Sequence, residues 1–316
     1  MKLGRMRVLA SESLIYGVSA IFTRFISVFL VPVYTRLFSP EDYGILSLVT
    51  STYAVVAVFA VLALDSASGR WFWDSELESD RKRTIATAAW SQIASAIVFG
   101  VALYFASDRL AILVVHRADT ALYFRLLAIT LPFAQFGTVV SGWLRLQRRP
   151  VAATVYALGT SLLQIAVTLF FVVGMHWGLK GIYSAQVLSL TVGAFAALAL
   201  LKDWINPAWF DFVRLKAMLM FALPLIPSAL AMWVVGFADR YFVEMFDSTS
   251  EVGLFSLGSS LAQGMFLLTG AFQMAWGPFA LSIHKEPDAK RTYAQAFLAY
   301  LGVTTFIATG LSLFAP

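Results

Sequence analysis

The segment SESLIYGVSAIFTRFISVFLVPVYTRLFSPEDYGILSLVTSTYAVVAVFAVLAL, residues 11–64, holds two apolar runs joined by the polar turn Leu37-Phe38-Ser39-Pro40-Glu41-Asp42-Tyr43-Gly44. At 1.5 Å of rise per residue, the first run, Ser11 to Val33, crosses a hydrocarbon core of about 30 Å as a helix. The second, Ile45 to Leu64, returns through it, so the segment predicts a transmembrane hairpin. One charge, Arg24, falls near the middle of the first helix. A guanidinium at that depth requires a wet cavity or a partner. Steps of three, four and seven residues from Arg24 reach Gly17, Ala20, Ser27 and Val31, a face of small residues suited to a bundle interior.

The remaining composition extends this reading to the whole chain. Of 316 residues, 59% are hydrophobic and 13% charged, and the mean hydropathy is +0.77. A soluble domain carries about 25% charged residues. These values predict an all-α polytopic membrane protein. The chain has no cysteine, which excludes disulfide scaffolds, thiolate metal sites and cysteine nucleophiles. Its three histidines, at 116, 176 and 284, all fall in expected loops, so neither a metal centre nor any cofactor is expected. The net charge of +5 reports membrane topology and implies no nucleic-acid partner. The first apolar run is too long for the h-region of a cleaved signal peptide, so it is expected to remain as the first span.

Nine helical spans are expected. After the hairpin come Thr84 to Ala106, Leu122 to Val140, Val151 to Gly174, Gly181 to Leu201, Ala217 to Gly236, Val252 to Met274 and Ala294 to Leu313. Alternate loops hold sixteen of the Lys and Arg residues and the opposite loops five, with Arg24 and Arg125 inside spans. By the positive-inside rule the N-terminus is cytoplasmic. The longest connection, Asp65 to Arg83, has nine charges and the cluster Trp71-Phe72-Trp73, and reads as a loop with an interfacial aromatic belt. The expected organisation is a six-helix N-terminal bundle over residues 1–201, a cytoplasmic linker over 202–216, and the first three helices of a second bundle over 217–316.

The spans hold no paired carboxylates, no Ser-His-Asp set and no phosphate loop in a strand-helix context, so transport is favoured over catalysis. A weak internal repeat points the same way. The turn at Phe38 to Leu48 is echoed at Asp247 to Leu257. A shift of 209 residues sets Gly44 on Gly253 and Ser47-Leu48 on Ser256-Leu257, and pairs span one with seven and two with eight. Six intervening spans give both copies one orientation, hence a parallel repeat about an axis along the membrane normal. Two such bundles facing one another enclose a cavity, and rocking them alternates its access.

The run from Arg24 through Val31-Pro32-Val33-Tyr34-Thr35-Arg36-Leu37-Phe38-Ser39-Pro40-Glu41-Asp42-Tyr43-Gly44 resembles the opening signature of the Wzx-type polysaccharide biosynthesis flippases, within the multidrug/oligosaccharidyl-lipid/polysaccharide exporter superfamily. A second stretch, Phe221-Ala222-Leu223-Pro224-Leu225-Ile226-Pro227-Ser228 through Gly236-Phe237-Ala238-Asp239-Arg240-Tyr241-Phe242-Val243, is similar to the family's seventh helix. The resemblance implies a MATE-like pair of bundles of twelve or more helices. Against nine expected spans, the second bundle is incomplete and the chain is expected to be C-terminally truncated.

The resemblance further implies movement of an undecaprenyl-pyrophosphate-linked oligosaccharide across the bacterial inner membrane, for O-antigen, capsule or exopolysaccharide synthesis. Implied partners are membrane lipid, a glycan polymerase and a chain-length regulator. A diphosphate in low dielectric demands cationic donors, and a guanidinium offers fork geometry for its oxygens. Arg24 is the first candidate, Arg240 the second, and Arg36 a site of release. Asp239, beside Arg240, is the candidate for coupling to protons or sodium, with Asp65 the weaker one. Pro224 and Pro227 lie inside span seven, where missing amide donors would loosen the helix into a gate. A multidrug exporter of the same superfamily, a non-transporting fragment and a membrane-embedded glycan polymerase or ligase remain alternatives.

Overall fold

The computed structural model describes residues 35–262 and 289–314. All regular elements among them are helical: α1 (Pro40–Val61), α2 (Leu64–Trp73), α3 (Glu78–Val114), α4 (Ala121–Leu146), α5 (Pro150–Leu169), α6 (Gly178–Leu201), α7 (Phe212–Ala222), α8 (Ile226–Phe246), α9 (Thr249–Ala262) and α10 (Ala289–Phe314). Six stretches are long and apolar enough to cross a membrane: Pro40–Trp73, Glu78–Val114, Ala118–Leu146, Pro150–Gly174, Gly178–Leu201 and Phe212–Phe246. They contain expected spans two to seven. The first span lies outside the described residues, the eighth is described only as far as Ala262, and the ninth falls within α10.

Local sequence explains where α1 starts. Ser39 caps it through a capping box, with the Ser39 hydroxyl accepting from the Asp42 amide at 3.2 Å and the Asp42 carboxylate accepting from the Ser39 amide at 3.0 Å. Pro40 occupies the first turn, where its missing N–H is not needed. Glu41 and Asp42 complement the positive end of the helix dipole. At the far end Leu62 and Ala63 both adopt left-handed backbone, with φ of 52° and 50°. These two residues turn the chain without ending helical structure, and α2 follows immediately.

This corrects the loop reading of Asp65 to Arg83. The segment is α2, a short connection, and the start of α3. Its charge content hid a one-sided helix whose Leu64, Ala67, Ser68 and Phe72 are buried. Leu64 and Ala67 pack with Ala88, Met218 and Ala222. Phe72 belongs to a second core with Ile85, Val140, Trp143 and Leu201, so the aromatic cluster is only partly interfacial. Arg81 lies over the rings of Phe72 and Trp73, and Arg70 over those of Trp71 and Phe221.

The main core joins α1, α3, α4 and α6 through Leu48, Val49, Ala96, Leu103, Phe124, Leu127, Leu131 and Tyr183. Small residues let the backbones approach: a Cβ at Gly100 of α3 would lie 2.9 Å from the Ala128 carbonyl oxygen of α4. Outward faces carry exposed Val98, Phe105, Leu113, Val235, Phe242 and Phe306. Such apolar faces suit lipid, while intrahelical hydrogen bonds satisfy the backbone. Between α7 and α8 the chain tightens into a turn over Leu223–Leu225 that contains Pro224, and Pro227 falls in the first turn of α8. The seventh span is therefore two helices with a proline joint.

Helix direction sorts the molecule into two ends. One holds α2, the start of α3, the α4–α5 and α6–α7 connections and most of the basic residues. The other holds the start of α1, the end of α8 and the start of α9. At the basic end Arg214 of α7 donates to Thr84 Oγ1 at 2.7 Å and to the Asp80 carbonyl. At the opposite end Arg117 bridges Glu41 and Asp119, each at 2.7 Å. Those carboxylates, Asp119 first, raise the Arg117 pKa above its ordinary value.

Candidate functional site

At the end opposite the basic one, α1 and α9 cross with their backbones almost touching. A methyl group at Gly44 would collide with the Thr249 carbonyl, and one at Gly253 with the Pro40 carbonyl. Just beyond, the Ser256 hydroxyl donates to Ser47 Oγ at 2.7 Å, and these residues are 209 apart in sequence. Gly44 and Gly253 have the same separation, as do Pro40 and Thr249. Residue i meeting j while the equivalent of j meets the equivalent of i is the contact pattern of a twofold axis. The repeated turn thus forms its own interface, and glycine is required because any side chain would separate the helices.

Arg240 locks α8 onto this crossing. Its side chain is 8% exposed. Nε donates to Ser47 Oγ at 2.9 Å, and Nη1 donates to the Gly236 carbonyl at 2.7 Å and to Asp239 Oδ1 at 2.9 Å. The guanidinium also lies 5.2 Å from the centre of the Phe237 ring. Nearby, Trp233 Nε1 donates to the Ser51 carbonyl at 2.9 Å, and the Tyr241 and Thr52 hydroxyls pair at 2.8 Å. Trp233, Phe237, Arg240 and Tyr241 share one face of α8 at helical spacing, so α1 is held from Ser47 to Thr52. Burial makes each of these polar groups dependent on its partner.

The sequence-derived candidates are scattered in space. Arg24 lies outside the described residues. Arg36 is exposed before α1. Arg240 and Asp239 come together as an ion pair, with Asp239 45% exposed. Asp65 is exposed in the first turn of α2, far along the chain axis from that pair. Pro224 and Pro227 form the α7–α8 joint at the basic end.

A second feature is a cavity of about 620 Å³ between α4, α5 and α6, in the half of the molecule nearer the basic end. Thr138, Ser141, Arg145, Thr160, Ser161 and Gln164 give its wall a hydroxyl and amide character, and no carboxylate is among the described residues that line it. A smaller chamber of about 280 Å³ adjoins it, sharing Thr138 and Arg145 and adding Asp65 and Gln92. Ser189 and Gln92 are 3% and 2% exposed, and among the described residues Ser189 Oγ and Gln92 Oε1 have no hydrogen-bond partner. Such groups are costly to leave unsatisfied without a guest or solvent. Arg145 donates from Nε to the Ser141 carbonyl at 3.2 Å. Among the described residues its two terminal nitrogens have no partner.

Sequence reasoning counted Arg145 only as a topological charge and passed over Ser47, Ser256 and Ser189. Ser47 and Ser256 were signalled by the repeat itself, whose identities lie where the halves touch. No local signal distinguishes Arg145 from Arg148 or Arg149, because which one faces a cavity depends on helix rotation.

The chain was compared with known proteins. A sequence model described as a polysaccharide biosynthesis protein matches residues 33–316. No curated protein matches the chain. A solved structure titled as the inward-facing conformation of a multidrug resistance MATE family transporter of the MOP superfamily superposes with a TM-score of 0.63 at 17% sequence identity, covering 96% of this chain and 69% of the other. At that identity the likeness establishes the fold, which is MATE-like. With its apolar helices, MATE-like architecture and matched sequence, this chain is a multi-pass membrane protein that belongs to the polysaccharide biosynthesis protein family.

Proposed function

We propose that this protein is a flippase that moves an undecaprenyl-pyrophosphate-linked oligosaccharide across the bacterial cytoplasmic membrane by alternating access, with the basic end and the N-terminus in the cytoplasm. The observation that carries the reading is the glycine-to-glycine crossing of α1 and α9 on the repeat axis. It is a compact seal at the periplasmic end, where serine hydroxyls and one arginine sit beside the apolar contact of Val252 with Ile45 and Leu48. A contact of this kind can separate as two rigid bundles rock. The charge distribution in the loops supports the orientation.

Arg24 is assigned the pyrophosphate contact, and Arg36 the release of the head group. Arg240 serves first in the seal and meets substrate only when the seal parts. Asp239 is the coupling group of choice, since protonation or cation binding at its carboxylate would weaken its pairing with Arg240. Asp65 is the second coupling candidate. The proline joint at Pro224 and Pro227 is the hinge on which α8 swings. Glycan polymerase and chain-length regulator are the partners expected to receive the product. Export of cationic drugs fits less well, because the cavity between α4, α5 and α6 has an arginine and no carboxylate.

The test is leaflet translocation of an undecaprenyl-pyrophosphate-linked oligosaccharide in reconstituted vesicles, comparing this chain with its Arg24→Ala variant and a longer family member. Translocation that collapses in Arg24→Ala supports the reading. Efflux of a cationic dye without translocation would replace it with drug export.

A further inference from the structure

Along α5 and α6 lies an apolar groove of about 940 Å³. It is lined by Val151, Val155, Gly159, Leu163, Val192 and Ala196, among others, and reaches Arg149 at the basic end. From Pro150 to Leu163 the groove runs about 20 Å at 1.5 Å per residue. Its volume is at the upper end of ligand sites, which span about 300–1,000 Å³. Tyr156, Thr160 and Gly193 line both this groove and the polar cavity of about 620 Å³ behind it. One helix pair therefore separates an apolar trough from a hydroxyl-lined chamber. The partition is thin: Tyr156 donates to the Gly193 carbonyl at 3.1 Å, and a Cβ at Gly193 would lie 3.3 Å from the Thr160 methyl.

We propose that the α5–α6 pair is the loading site for the lipid-linked substrate on the basic side of the membrane. The isoprenoid tail lies in the groove, the phosphate groups meet Arg145 and Arg149 at its end, and the first sugars enter the chamber behind Tyr156 and Thr160. The assignment rests on the flippase reading and identifies where its amphiphile is first held. Three features carry it. The trough and the chamber are contiguous and opposite in polarity, as an amphiphile requires. The terminal nitrogens of Arg145 are unpartnered among the described residues, and Arg149 is exposed, with its guanidinium 5.9 Å from the centre of the Trp143 ring. Ser189, 3% exposed, lines the chamber, and its buried hydroxyl has no partner among the described residues.

The experiment uses the full chain in nanodiscs of phosphatidylethanolamine and phosphatidylglycerol, with a photoreactive polyprenyl diphosphate as probe. The expected crosslinks map to Val155, Gly159, Val192 and Ala196. Unlabelled polyprenyl diphosphate competes, and polyprenyl alcohol and added phosphatidylglycerol do not. Gly159→Leu projects into the groove from a Cβ with no neighbour within 4 Å, and reduces labelling about tenfold. Arg145→Gln leaves tail labelling in place but erases the preference for diphosphate over alcohol, a change of about tenfold for the loss of a charge-assisted contact. Equal competition by the alcohol and phosphatidylglycerol would mark the groove as a seat for bulk lipid and overturn the proposal. So would labelling confined to helices other than α5 and α6. Diphosphate-selective labelling without vesicle translocation retains the site and removes the flippase reading, whereas translocation without labelling at α5–α6 does the reverse.

Discussion

Alanine at Gly44 should force open the end of the molecule opposite the basic one. Its Cβ would collide with the Thr249 carbonyl, a backbone atom that cannot move aside without its helix. Restoring an ordinary contact requires α1 and α9 to part by more than about 1 Å, and overpacking of this kind costs about 1–3 kcal/mol. The penalty falls only on the closed crossing, so the ratio of closed to open forms should drop by about 5–150-fold. The chain contains no cysteine, so a Ser47→Cys/Ser256→Cys pair reports this equilibrium directly. The two hydroxyl oxygens are 2.7 Å apart, within reach of a disulfide once sulfur replaces oxygen. Under a mild oxidant the double variant should crosslink within the chain, and transport should stop until a reductant is added. Adding Gly44→Ala should slow crosslinking and lower its yield, as should Gly253→Ala, which meets the Pro40 carbonyl. Unchanged crosslinking in both alanine variants would refute the packing argument. Full transport by the crosslinked protein would refute the gating role.

Arg240→Lys should lower the melting temperature in detergent and raise accessibility at Ser47→Cys. A compact ammonium cannot reproduce the fork that reaches Ser47, Gly236 and Asp239 together, and each charged hydrogen bond contributes about 1.5–3 kcal/mol. Ala63→Gly should stabilise the fold by roughly 1 kcal/mol, read as a rise in melting temperature, because φ of 50° strains any residue with a Cβ. A fall would mean that the methyl group's packing outweighs that strain. Arg214→Ala should release α7 from α3, losing the bond to Thr84 Oγ1 at 2.7 Å, and expose the connection at 202–211 to limited proteolysis. Unaltered cleavage would mean that the apolar contacts of Met218 and Ala222 suffice to hold α7.

Much of this architecture is readable in the sequence because the bilayer simplifies the physics. Every spanning segment must satisfy its own backbone, so a run of about twenty apolar residues has one available structure, and loop charge orients it. Expected spans two to seven accordingly reappear as membrane-length helices. At α2 composition misleads: nine charges between Asp65 and Arg83 read as loop, whereas Leu64–Trp73 is helical. There the buried stripe of Leu64, Ala67 and Phe72 is too short for a period-based signal to outweigh composition. Asp239 and Arg240 were legible as a charged pair at a helix end, but not as parts of a seal. That depends on Ser47, which lies 193 residues away.

The sequence by itself determined the class, the apolar helices and the 209-residue echo, since each follows from local composition or self-similarity. The tertiary structure decided which members of those patterns meet. It brought Gly44, Ser47, Gly253 and Ser256 onto one axis, buried Arg240 beside them, and set Arg145 on a hydroxyl-lined cavity. Helix rotation and crossing angle make these choices, and both are set by how side chains from distant spans interlock. No window of local sequence contains that information.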